Sequence, residues 1–110
     1  FSSDLIEDLP PGVKFLICGH THVQATFKFR DFTFLNPGSV GQPRDGDNRA
    51  AYAILMNNQV LLNRVAYDIR SAIDHASGNG YPLHCFSNLN NGTQIGGRID
   101  TISCGLPLCE

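Results

Sequence analysis

The sequence predicts an α/β fold made mainly of antiparallel strands with one short helix. Three observations carry this expectation. β-prone segments follow one another from Val13 to Tyr67 with no helical period between them. Clusters of Gly, Pro, Asn and Asp separate those segments. One 3.6-residue apolar period then appears, at Ile69, Ala72, Ile73 and Ala76.

The elements read as follows. Leu5, Ile6 and Leu9 suggest the end of a helix or a connecting segment; the stretch lacks the basic and apolar regions of a signal peptide. Val13 to Cys18 is a short apolar run between Pro10-Pro11-Gly12 and Gly19, so it predicts a buried strand. Gln24 to Phe29 and Phe32 to Leu35 predict a hairpin turning at Arg30-Asp31. Ala50 to Met56 is apolar on both faces and predicts a central strand. Asn57-Asn58 suits a tight turn with positive φ, and Gln59 to Tyr67 is the returning strand. Asp68 is placed to cap a helix that Gly78-Asn79-Gly80 would stop.

The chain from Tyr81 onward carries less pattern. Asn88 to Gly97 is rich in Asn, Gly and Thr and is expected to be a mobile loop. Cys104 and Cys109 are spaced poorly for structural zinc, and a disulfide between them lacks support. With Cys18 expected in a buried strand, reduced thiols and a cytoplasmic location are the expectation. His84 and Cys85 would face opposite ways on an extended chain, which argues against a nucleophile pair. His75 falls on the surface of the expected helix.

Length allows one core, 42% hydrophobic content is ordinary, and no apolar run is long enough to span a membrane. A formal charge of −2 offers no long-range attraction to nucleic acid, so nucleic acid is not an expected partner.

The chemistry concentrates in two segments. Gly19-His20-Thr21-His22 follows the first strand directly. Histidines at i and i+2 leaving a strand would lie on one side, where two imidazoles suit a transition metal. The bland reading is a pair of surface or core histidines. The second segment, Leu35 to Arg49, is a loop with a Pro37-Gly38 turn that can aim backbone N–H groups at an anion. Asn36, Ser39 and Arg44 are its candidate phosphate-binding residues. The bland reading of this loop is a connection whose arginines, Arg44 and Arg49, pair with Asp45 and Asp47.

The order of strand, Gly-His-Thr-His, Asn36 to Asp47 and Arg49-Ala50-Ala51-Tyr52 resembles the C-terminal half of a calcineurin-like metallophosphoesterase, on the small bacterial phosphodiesterase branch. The likeness is specific from Val13 to Ile73 and weak afterwards. It implies an αββα four-layer sandwich, with residues 1–77 forming the C-terminal part of the domain and 78–110 a loop-rich tail. It also implies two divalent ions, manganese first, with iron, zinc, magnesium or nickel as alternatives. His20 would bind one ion and His22 the other. Such a pair, about 3.5–4 Å apart, clamps a phosphoryl oxygen and supplies an activated hydroxide. The implied substrate is a phosphoester small molecule or nucleotide, cleaved at a phosphodiester or phosphomonoester bond.

The family's other ligand motifs, Asp-x-His, Gly-Asp-x-x-Asp and Gly-Asn-His, do not occur here, and no catalytic acid is assigned. The chain also opens on Phe1 rather than methionine. The expectation is therefore a fragment, inactive alone, whose partner is the missing N-terminal half of the same domain. The alternative is a noncatalytic binding or scaffolding domain built on that fold.

Overall fold

The computed structural model describes residues 8–104. Leu5, Ile6 and Cys109 lie outside the described residues. Two sheets and one α-helix make up the described residues. The first sheet contains β1 (Phe15–Ile17), β2 (Ala25–Lys28) and β3 (Thr33–Asn36), in the order β1-β3-β2. The second is a hairpin of β4 (Ala50–Met56) and β5 (Gln59–Val65), followed by helix α1 (Ile69–Gly78) and two short 3-10 helices.

The hairpin of β2 and β3 forms as expected, with Phe27 opposite Phe34 and a bond from Phe29 N to Phe32 O of 2.9 Å closing the Arg30-Asp31 turn. β1 runs parallel to β3, pairing Leu16 with Phe34. β3 is therefore the central strand, which explains why Phe34, Leu35 and Asn36 are all buried. Phe29 and Phe32 stack at 4.7 Å beside Phe34 to form a small aromatic core, against which Leu16 and Cys18 pack.

Two burial expectations fail. Among the described residues β1 is an edge and not a buried strand: Ile17 is 57% exposed, and Cys18, just past its end, is half-buried. β4 is not central either, since β5 is its neighbour on one side and no described strand pairs with the other. An apolar pattern on both faces reports that both faces are suited to cover, and it does not say how many strands flank them. Tyr52, Ile54, Met56 and Leu61 stay exposed, with Met56 at 58%. Those four share one face of the hairpin, because Tyr52, Ile54 and Met56 alternate and Leu61 pairs with Ile54. Exposed apolar patches of this kind mark contact surfaces.

Local signals hold closely. Asn57 and Asn58 take φ of 53° and 60°, the left-handed pair that a two-residue hairpin requires. Asp68 caps α1 by accepting from Ser71 N at 3.1 Å. The helix stops at Asn79, and Ile73 is its buried anchor. Among the described residues no helix is long and apolar enough to cross a membrane. The expected mobile loop at 88–97 is instead built around buried Asn88 and Thr93, with Asn88 Nδ2 donating to Thr93 O at 3.0 Å. Polar composition suggested mobility, but here the Asn88 side-chain amide is spent on a local backbone carbonyl.

Gly38 joins the two sheets at close range. It holds φ of +87°, and a Cβ there would lie 2.8 Å from Ala51 Cβ and 3.0 Å from Gln24 Cβ. Gly38→Ala is expected to cost about 1–3 kcal/mol from backbone strain, plus the clash. Urea denaturation of the complete protein checks this, and an unchanged midpoint would refute the turn geometry.

Candidate metal centre and phosphate loop

β1 ends at Ile17, so His20 and His22 lie beyond the strand and its alternation does not set their directions. Left-handed backbone does: His20 has φ 75° and His22 has φ 60°. Non-glycine residues seldom adopt this region, and such strain persists where surrounding structure imposes it. The restraints here are specific. Asn36 Nδ2 donates to Thr21 Oγ1 at 2.9 Å and reaches Gly19 O at 3.5 Å. Arg44 N donates to His22 O at 3.0 Å.

The His22 ring is held by a backbone carbonyl. Its Nδ1 lies 2.9 Å from Gln42 O. A carbonyl can only accept, so in the neutral ring Nδ1 carries the proton and Nε2 keeps its lone pair. A second bond of this kind fixes the tautomer in metal-ligating histidines. His20 is exposed and lines an open cleft of about 440 Å³ with Thr21, Val23, Arg44, Ile99 and Asp100.

The loop residues divide by role. Asn36 is 1% exposed, and its carboxamide is spent on the chain: Oδ1 accepts from Gly38 N at 3.0 Å while Nδ2 holds the Gly19–Thr21 segment. It therefore lies beneath the loop as a clamp and not at a surface that meets substrate. Ser39 Oγ accepts from Gln42 N at 2.9 Å, shaping the turn that presents the Gln42 carbonyl. Arg44 lines the cleft, and among the described residues its side chain makes no hydrogen bond. The bland pairing holds for the other arginine: Arg49 binds Asp47 at 2.7 Å. Asp45 is instead paired to Arg64, a residue the sequence reading passed over. Its one visible signal is a lone cation in the otherwise uncharged β5.

His84 and Cys85 also differ from expectation. They sit on a 3-10 helix, where Cys85 Sγ comes within 3.4 Å of His84 Nε2, so the extended-chain argument does not apply. His75 is exposed on α1, as expected.

The fit to metal is partial. His22 offers an oriented Nε2 and His20 an exposed imidazole, both suited to a divalent transition metal. Among the described residues no cluster of three or more His, Cys, Asp or Glu side chains is present. By themselves these two histidines do not make a complete donor set.

The fold, the Gly-His-Thr-His turn and the clamped loop define a metallophosphoesterase-type architecture. Residues 2–59 match the calcineurin-like phosphoesterase superfamily domain, and the chain belongs to that family. The metallophosphoesterase from Sphaerobacter thermophilus has a similar structure, with a TM-score of 0.70 and 28% identity, covering 80% of this chain and 46% of that one. The uncharacterized protein MJ0912 of Methanocaldococcus jannaschii is 46% identical over 50 residues, which is 44% of this chain and 21% of that protein. The chain therefore spans less than half the length of either relative.

Asn36→Ala is expected to cost about 1–3 kcal/mol, because it strands the half-buried Gly38 N–H and frees the Thr21 hydroxyl. Thermal denaturation would read it, and an unshifted midpoint would show that the clamp carries nothing. The pH dependence follows from Asp47, whose carboxyl is lowered from 3.8 to about 2, first by the side-chain bond from Arg49 and then by its backbone N–H. A depressed carboxyl stabilises the fold fully above its unfolded value and loses that effect as pH falls. The loss should run from about pH 4 down to pH 2. Acid denaturation of Asp47→Asn should be shallower there than the wild type, and identical curves would contradict the assignment.

Proposed function

We propose that this chain supplies part of a two-metal phosphoesterase site, with His20 on one divalent ion and His22 on its neighbour. The observation that carries this reading is the pair of left-handed histidines, one with its ring fixed by Gln42 O and the other lining a cleft with Arg44. When bound, the ions supply Lewis acidity toward a phosphoryl oxygen and acidify a water. Manganese is the first candidate metal, with iron, zinc, magnesium or nickel behind it.

The chain's own residues bind and orient. Arg44 neutralises phosphate oxygens from the cleft wall, Ser39 shapes the turn behind His22, and Asn36 holds both segments in register. The substrate is a phosphomonoester or phosphodiester, nucleotides included. The remaining ligands come from the part of the fold that this chain does not span, so residues 1–110 alone are expected to be inactive. The free thiols of Cys18 and Cys85 support a cytoplasmic setting.

A noncatalytic binding role is the second reading, favoured by the exposed apolar face of β4 and β5. One experiment separates the two. In the complete protein, His20→Ala and His22→Ala should each lower bound metal by about one ion and cut hydrolysis of bis(p-nitrophenyl) phosphate by about a hundredfold or more. Full metal content and activity in both variants would reject the metallophosphoesterase reading. A wild type that hydrolyses nothing would favour the binding role.

A further inference from the structure

We propose that Asp100 is a specificity-determining residue of the His20 cleft, favouring phosphodiesters over phosphomonoesters. This rests on the phosphoester reading above and concerns a segment outside the residues that match the family. That match ends at residue 59, whereas Ile99, Asp100 and Thr101 line the same cleft as His20 and Arg44.

The segment is fixed against the loop. Asp100 N donates to Arg44 O at 2.7 Å, and Gly46 N donates to Gly92 O at 2.9 Å. A tight turn precedes Asp100, closed by Gln94 N to Arg98 O at 2.8 Å and Gly97 N to Gln94 O at 2.9 Å. The side chains of Gln94 and Arg98 both donate to the Asp100 carboxylate, whose side chain is 20% exposed.

The Gln94 side-chain bond first, then Arg98 and the nearby Arg44 charge, hold the Asp100 carboxyl below the usual carboxylate range. Asp100 is therefore a fixed negative charge at neutral pH, close to the cation that would receive phosphate. A phosphomonoester above its second pKa carries two negative charges, and a diester carries one. Repulsion from Asp100 scales with ligand charge, so it penalises the dianion about twice as strongly as the monoanion. Arg44 attracts both, and Asp100 tilts the balance toward the diester.

The test uses two compounds that phosphoester hydrolysis does not consume quickly: phenylphosphonate, a dianion at about pH 8, and its monoanionic methyl ester. Affinities for the complete, manganese-loaded protein are measured by calorimetry. Asp100→Asn should tighten phenylphosphonate binding about fivefold and the methyl ester less than about twofold. Asp100→Ser, a second neutral variant, should do the same. Arg98→Ala removes the positive charge paired to Asp100, so it should shift the ratio the opposite way, weakening phenylphosphonate more than the methyl ester. Equal changes for both ligands, no change, or the same ratio shift in Arg98→Ala would overturn the proposal. So would a failure of either compound to bind any of these proteins. A ratio shift in protein that hydrolyses no phosphoester would uphold Asp100 as a charge filter and defeat the hydrolytic reading alone.

Discussion

The guanidinium of Arg64 is the interaction on which the rest of this structure depends. It is nearly buried on β5, at 11% side-chain exposure, and burying a charge is costly unless every donor finds a partner. Nε donates to Gln24 Oε1 at 3.0 Å, Nη1 to the carbonyls of Arg49 and Asp47 at 3.1 and 3.3 Å, and Nη2 to the Asp45 carboxylate. Gln24 extends the network by donating to Tyr52 O and Asn63 O. Through these bonds the hairpin of β4 and β5 is joined to the loop after β3 and to the segment entering β2. Removing Arg64 would leave Asp45 half-buried without its counter-charge, beside a carboxylate oxygen, Oδ1, that already lacks a partner.

That network reaches the candidate site through the backbone. Asp45 follows Arg44, whose N–H holds His22 O, and Gln42, two residues earlier, holds the His22 ring. Left-handed backbone at two histidines is costly and must be imposed from outside. From one side it is imposed by Asn36, beneath Gly19 and Thr21, and from the other by the loop that Arg64 anchors. The imidazole direction is thus set by contacts reaching across both sheets.

Short-range signals made much of the fold legible in the sequence. Asn57-Asn58 needs positive φ, Asp68 caps the helix that buries Ile73, and Arg30-Asp31 divides two β-prone runs. Each depends on neighbours in the chain. The Gly-His-Thr-His and Asn-Pro-Gly-Ser order pointed to the site, and the family match covers both segments. What stayed hidden depends on distance. Whether β3 or β4 lies centrally is decided by pairing, to which an apolar run is blind. Arg64 meets Asp45 across 19 residues, and Gln24 across 40. Asp100 joins Arg44 through a backbone bond, which no side-chain pattern records.

Site geometry and site chemistry separate along the same line. The bonds that orient His22 and restrain the Gly19–Thr21 turn all come from described residues of this chain. They are polar, directional and already satisfied, so they need no further element to set the ring direction. The exposed face of β4 and β5 is the opposite case: its Tyr52, Ile54 and Met56 are apolar and unsatisfied by anything described. Covering that face would add stability through buried area, about 25 cal/mol per Å², without changing which way His22 points. The polar network and the apolar face therefore do different work. One sets the direction of the His22 imidazole, and the other offers an apolar surface that a further element of the fold can cover.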